Sequence, residues 1–207
     1  VQKIIYASGS GVYGDLGEVE AIEDHGPMIP ESTYGASKLA GEALIGSYAA
    51  MFDRQAFAFR FGNVVGRRQT HGVGFDFVRR LLKDDTALDV LGDGSQSKSY
   101  VLVTDVVRAL FTVADQDHDR PFSAYNVATG DYVTVREIAE LALDVIGLDP
   151  ADVQVRYGDQ PRGWKGDVPI VRIATAKIRA LGWEPSTGSA CLLYTSPSPR
   201  DRNRYRM

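Results

Sequence analysis

The sequence predicts an α/β fold, the later part of a doubly wound parallel sheet joined to a smaller α/β region. Three observations carry this. Apolar runs of strand character alternate with segments of helical period along the 207 residues, which is the pattern of βαβ units. The opening run, Val1-Gln-Lys-Ile-Ile-Tyr-Ala-Ser8, reads as a buried strand. The composition, 44% hydrophobic and 24% charged, is that of an ordinary globular chain long enough for one sizeable domain or two small ones.

Taken in order, 1–8 is the first strand and 9–30, rich in Gly, Asp, Glu and Pro, is a loop. The period over 32–52 predicts an amphipathic helix with Leu39, Ala43, Leu44 and Tyr48 near one face. A second strand covers 56–65, followed by a polar loop over 67–74, a helix over 75–83 and a short strand over 87–91. Gly92-Asp-Gly94 is a turn. A strand spans 99–103, Thr104 caps a helix to about 114, and strand 125–128 returns to the main sheet. Thr134-Val-Arg-Glu137 is a capping box opening a helix to 146. A strand over 153–157 and a helix over 175–181 complete the pattern.

This divides the chain into main-sheet residues 1–66 and a second α/β region, 67–190. From Cys191 the text loses both periods, carries two Ser-Pro steps and ends rich in Arg. Residues 191–207 therefore read as a non-native or disordered tail and are set aside. The first strand opens without a methionine or a leading turn, and a central parallel strand needs neighbours on both sides. An upstream part of the sheet is expected before Val1, and the chain alone is expected to pack loosely and to be inactive.

Several functions are excluded. The net charge is −4 with scattered basic residues, which argues against a nucleic-acid partner. No run of ~18 apolar residues is present to cross a membrane, and no secretory signal is seen. The single cysteine rules out an intramolecular disulfide and fits a reducing compartment, the cytoplasm. His25, His71 and His118 lie far apart, so no metal site is expected.

Gly9-Ser-Gly11-Val-Tyr-Gly14 fits G-x-G-x-x-G and follows a strand. A dinucleotide fingerprint must also open a helix whose N-terminus faces the pyrophosphate. Here an acidic stretch with glycines and a proline follows instead, so this match is rejected as a phosphate loop. The chemistry points to Tyr34-Gly-Ala-Ser-Lys38. Residues four apart share a helix face. An ordinary phenol, with a pKa of ~10, is a poor base, and an adjacent ammonium favours the phenolate. Such a pair alone is commonplace, so its context decides.

That context is a strand ending in Val-Tyr-Gly14, an acidic loop, the Tyr34–Lys38 helix, and then Arg60-Phe-Gly-Asn63-Val-Val-Gly66. Gly92-Asp-Gly-Ser-Gln-Ser-Lys-Ser-Tyr100, Tyr125-Asn-Val-Ala-Thr-Gly130, Arg162-Gly-Trp-Lys-Gly-Asp167 and Leu181-Gly-Trp183 continue the series. From Val1 to about Ser189 the chain resembles the extended short-chain dehydrogenases, the NAD-dependent epimerase/dehydratase family, and within it the UDP-glucose 4-epimerase branch. The resemblance implies a Rossmann-like sheet, NAD as cofactor, a UDP-sugar substrate and a homodimer formed through the Tyr–Lys helix. Tyr34 would be the acid/base, and Lys38 would bind the nicotinamide ribose and tune it. Ala7, Ser8 and Phe61 would join them around the cofactor. Asn63 would contact the nucleotide diphosphate, and Arg68, Lys98, Tyr100, Arg162 and Asp167 would line the nucleotide-sugar pocket.

One departure stands out. The family places a Ser or Thr four residues before the tyrosine of Val-Tyr-Gly, and here that position is Gly9. Ser8 and Ser10 flank it, and either could supply the hydroxyl. The family's dehydratases follow that hydroxyl with an Asp-Glu pair, where this chain has Ser10 and Gly11. Without those proton carriers elimination is disfavoured. The rival readings are a nucleotide-sugar reductase or dehydrogenase on the same scaffold, and a non-catalytic nucleotide-sugar-binding protein.

Overall fold

A computed structural model describes residues 1–195. Its main sheet holds three parallel strands in the order β1 (Lys3–Gly9), β2 (Gln55–Phe61), β7 (Phe122–Val127). Between β1 and β2 runs α1 (Thr33–Met51). Ser32 caps it, its hydroxyl accepting the Gly35 N–H at 3.0 Å.

The predicted strand over 56–65 is divided. β2 ends at Phe61, and β3 (Asn63–Val65) pairs with β6 (Tyr100–Leu102) in a separate sheet. Gly62 is the switch: its N–H goes to Val127 O, and that of Asn63 goes to Ser99 O. Between β3 and β6 lie α2 (Val73–Leu81), β4 (Ala87–Val90) and β5 (Ser97–Lys98). After β6 the chain forms α3 (Val103–Ala114). It starts two residues earlier than expected, with Leu102 rather than Thr104 at the N-cap position and no side-chain cap. Then come β7, β8 (Val133–Thr134), α4 (Val135–Ile146), β9 (Gln154–Tyr157) and α5 (Ala176–Arg179).

Two cores result. One lies under the main sheet, where Phe57, Phe59 and Tyr125 pack against Val106 and Val113 of α3 and against Ile178 and Trp183. The other gathers α2, α4 and β4 around Leu81, Leu88, Ile138 and Leu143. The cores interleave along the chain, since α3 and the Ile178–Trp183 stretch belong with the main sheet. Among the described residues no helix is long and apolar enough to cross a membrane.

Two expectations need correction. The face of α1 carrying Ala43, Leu44 and Tyr48 points outward, with Leu44 72% exposed, and the buried residues are Gly35, Glu42 and Ala49. Small residues explain this. A Cβ on Gly41 would lie 2.1 Å from the Tyr6 hydroxyl and one on Gly46 3.2 Å from the Phe122 ring, so glycines let α1 lie close on β1 and β7. The expected tail boundary at 191 also shifts. Helix α6 (Ser189–Thr195) begins before it, and Leu192 is buried in the second core. Ser189 is fully buried, accepting the Tyr100 N–H and bonding Asp131. Residues 196–207 lie outside the described residues.

The capping box on α4 forms as expected: Thr134 Oγ1 accepts the Glu137 N–H, and Glu137 Oε2 accepts the Thr134 N–H at 2.7 Å. The backbone and then the hydroxyl of Thr134, both donating to it, hold the Glu137 carboxyl below the ordinary value of 4.5. A depressed carboxyl contributes stability above its unfolded pKa and loses it as pH falls through the folded one. Thr134→Ala is therefore expected to lose about 1 kcal/mol at neutral pH. The deficit should shrink on acidification below the glutamate range, as urea unfolding at several pH values would show. An unchanged midpoint at neutral pH would contradict it.

Candidate active site

The carboxyl ends of β1 and β2 stand in register, Gly9 opposite Phe61. In open α/β sheets, ligands bind in the crevice outside such ends. Here the crevice opens into a cavity of about 810 Å³, bordered by Ser8–Gly11, Phe61–Val65, Tyr34, Lys98, Tyr100 and Asp167 among others. The lookalike Gly9–Gly14 stretch opens no α-helix; it forms a single 3-10 turn over Ser10–Val12.

Helix α1 places the Tyr–Lys pair. Tyr34, in its first turn, is 65% exposed and faces the cavity. One turn on, Lys38 donates to the Ala7 carbonyl at 2.9 Å and holds its ammonium 5.5 Å from the Tyr34 ring centre. The i, i+4 spacing thus sets the cation beside the phenol, and the end of β1 fixes the cation. Ala7 acts through its backbone oxygen.

The far wall comes from the second region. β3 and β6 bring Asn63 level with Tyr100. Tyr100 is buried; burial pushes its phenol well above the usual tyrosine value, and the Asp167 charge adds to this. It stays protonated at neutral pH and can serve only as a neutral wall or donor. Lys98 pairs with Asp167 Oδ1 at 2.5 Å, while Asp167 Oδ2 accepts the Gly163 N–H at 3.2 Å.

Two expected pocket residues stand outside the cavity wall. Arg68 sits on the exposed loop after β3 with φ +68°. Arg162 is drawn to Asp15 Oδ2 at 2.7 Å, to Glu31 Oε2 at 3.4 Å and to the Asp167 carbonyl. It fastens the 158–167 segment to the loop that leads into α1.

The two candidate serines differ. Ser8 is buried and donates its hydroxyl to Glu42 Oε1 at 2.5 Å. Ser10 opens the 3-10 turn at the cavity, partly exposed. Gly9 between them is extended at φ −161°, and a Cβ there would meet nothing within 4 Å. Nothing steric requires glycine, and open space lies beside the strand end.

Three residues escaped the sequence reading. Glu42 and Arg60 form a buried ion pair beneath Ser8, with Nη2 to Oε2 at 2.7 Å. Burial opposes the Arg60 charge most strongly, but hydrogen bonds and charge attraction to Glu42 and Tyr13 together outweigh it and hold the guanidinium protonated. Gln96 is buried at the cavity; its amide nitrogen donates to the Pro161 carbonyl at 2.9 Å, and its Oε1 has no partner among the described residues. The i+8 spacing of Tyr34 and Glu42 was the one available signal, since it puts both on the same side of α1.

A parallel sheet with a Tyr–Lys helix at its carboxyl edge is the architecture of the extended short-chain dehydrogenases. The chain belongs to the NAD dependent epimerase/dehydratase family, whose pattern matches residues 1–128. It is 31% identical over 198 residues to the UDP-glucose 4-epimerase of Mycolicibacterium smegmatis, covering 92% of this chain and 59% of that protein. It is 26% identical over 186 residues to human dTDP-D-glucose 4,6-dehydratase, covering 89% and 52%. The chain thus spans between half and three-fifths of the length of these relatives. Among solved structures, a UDP-galactose 4-epimerase superposes with a TM-score of 0.86 at 35% identity over 98% of this chain and 64% of that one. MoeE5, solved in complex with UDP-glucose and NAD, superposes with 0.83 at 31% identity over 99% and 66%.

Proposed function

We propose that this chain carries the acid/base and sugar-binding side of an NAD-dependent nucleotide-sugar 4-epimerase acting on UDP-glucose and UDP-galactose in the cytoplasm. The observation that carries the reading is the position of Tyr34. Its phenol borders a cavity of about 810 Å³, with Lys38 beside it and Lys98 on the far wall. The residues at the strand ends suit NAD: Lys38 is held by Ala7, Tyr34 is exposed, and open space flanks Gly9 next to Phe61. When bound, NAD supplies reversible hydride transfer at C4 of the hexose.

The chain's own residues do the rest. Tyr34 takes the C4 hydroxyl proton as the 4-keto sugar forms and returns it to the same oxygen once the sugar has turned over and its other face is ready for hydride return. Lys38, held by the Ala7 carbonyl, keeps a positive charge beside the phenol. Lys98, held by Asp167, and Asn63 at the end of its strand bind the diphosphate. Ser10 is the better placed serine to hold the reacting hydroxyl, because Ser8 is committed to Glu42. The outward stripe of Leu44, Tyr48, Met51 and Phe52 on and just after α1 suits a homodimer.

Dehydration is the rival that the relatives bring forward. Against it, positions 10 and 11 are Ser and Gly, and of the cavity carboxylates Asp167 pairs with Lys98 and Asp76 with Arg79. A full-length protein carrying this chain is expected to interconvert UDP-galactose and UDP-glucose with no net change in NADH. Net NADH formation or consumption, or release of a 4-keto-6-deoxy sugar, would replace the epimerase reading with one of its rivals.

A further inference from the structure

A large aromatic left in solvent at a cavity is more informative than one in the core. The two tryptophans differ in this way. Trp183 is buried, with its indole N–H donating to the Asp105 carbonyl at 2.9 Å. Trp164 is 60% exposed and borders the cavity.

The turn that carries Trp164 is built to present it. The Asp167 N–H donates to the Trp164 carbonyl at 3.1 Å, and the Gly163 N–H to Asp167 Oδ2. Lys98 anchors Asp167 from one side, and Arg162 ties the turn to Asp15 and Glu31 on the other. Gly166 makes the close approach possible, because a Cβ there would lie 2.4 Å from Trp164 Cζ3 and 3.1 Å from Ser32 Cβ. The indole edge therefore lies on Gly166, near the N-cap of α1 and two residues from Tyr34. Lys98 stands at the other end of the same turn.

We infer that Trp164 is a hexose platform, a specificity-determining residue whose indole covers the apolar C–H face of the sugar between Tyr34 and Lys98. The inference rests on the nucleotide-sugar reading. If Lys98 holds the diphosphate and Tyr34 meets the C4 hydroxyl, the pyranose spans the gap that Trp164 borders. Contact through a flat apolar face is non-directional. It holds the ring without fixing the C4 hydroxyl, which suits a site that must accept both C4 epimers. A hydrogen-bonding side chain in that place would favour one epimer.

The test is titration of a full-length protein carrying this chain with UDP, UDP-glucose and UDP-galactose, followed by calorimetry and tryptophan emission, for the native protein, Trp164→Ala and Trp164→Phe. Trp164→Ala is expected to weaken both UDP-sugars about tenfold, the loss expected when a sugar face of roughly 60 Å² goes uncovered. UDP itself should stay within about twofold, since it lacks the hexose, and Trp164→Phe should recover most of the loss. Emission should respond to UDP-glucose in the native protein, and Trp164→Ala should remove this chain's share of that response, since Trp183 is buried away from the cavity. Equal weakening of UDP would assign the indole to the nucleotide and overturn the inference, as would no weakening of any ligand. If the full-length protein binds neither UDP nor UDP-sugar, the nucleotide-sugar reading itself fails.

Discussion

Tyr34→Phe in a full-length protein carrying this chain is expected to lower turnover by roughly 10²–10⁴-fold, the usual contribution of a positioned proton carrier. Affinity for UDP-glucose should stay within about threefold, because an interaction made only as the proton moves leaves ground-state binding intact. The geometry makes this a clean substitution. The phenol is largely exposed and takes part in neither core, so losing its oxygen disturbs no packing. Lys38 keeps its bond to the Ala7 carbonyl. Tyr100 is the natural control, the other tyrosine at the cavity. Its phenol is buried and pushed up, so it stays protonated, and Tyr100→Phe should leave the pH dependence of turnover in place. If Tyr34→Phe keeps the rate within a factor of a few, Tyr34 is not the proton carrier. If Tyr100→Phe moves the pH profile instead, the role belongs to the wall tyrosine.

What the sequence disclosed follows the range over which each signal acts. The capping box at Thr134 was legible because cap, backbone and partner lie within four residues. The Tyr34–Lys38 pair was legible for the same reason. The break at Gly62 was hidden, since the stretch keeps its strand character throughout and only the partner strand changes, from β7 to β6. The outward face of α1 was misread because periodicity locates an apolar stripe but not what covers it, and here glycines made the close contact with the sheet. Helix α6 buries Leu192 and is anchored by Ser189 and Asp131 across 58 residues, so no local period betrays it. The Lys98–Asp167 pair joins residues 69 apart, and Arg162 was drawn from the cavity by Asp15, 147 positions away. Such pairings belong to the assembled fold.

The buried cluster beneath the site is expected to dominate stability. Glu42 accepts from Ser8 Oγ and, at 2.7–3.2 Å, from Arg60 Nε and Nη2. Arg60 Nη1 also donates to the Tyr13 hydroxyl at 2.9 Å and to the Glu23 carbonyl at 2.8 Å. Tyr13 in turn donates to Asn126 Oδ1 at 2.7 Å. One cluster thus ties α1, the ends of β1 and β2, β7 and the loop before α1. The side chains of Glu42 and Arg60 are 4% and 3% exposed, so neither charge has water to fall back on.

Breaking a buried pair by removing one partner loses about 3–5 kcal/mol, because the remaining charge is stranded. Replacing both partners with apolar groups of similar size is often near neutral. Glu42→Leu and Arg60→Met are each expected to lose about 3–5 kcal/mol, and the double variant far less than their sum. Against a total stability of roughly 5–15 kcal/mol, either single change brings the chain close to unfolding at ambient temperature. Urea titration of the four proteins closes the double-mutant cycle. Single losses below about 1 kcal/mol, the range of exposed pairs, would show that water reaches the pair. An additive double variant would show that the two residues act through separate partners, Ser8 for one and Tyr13 for the other. The first turn after β1 should register the change as well. With Glu42 gone the Ser8 hydroxyl loses its acceptor, and the Ser8-Gly9-Ser10 segment that borders Tyr34 loses its fixed end. Glu42→Gln keeps an acceptor for Ser8 while removing the charge, so it should restore ligand affinity more fully than stability. That split separates the positioning of the site from the holding of the fold.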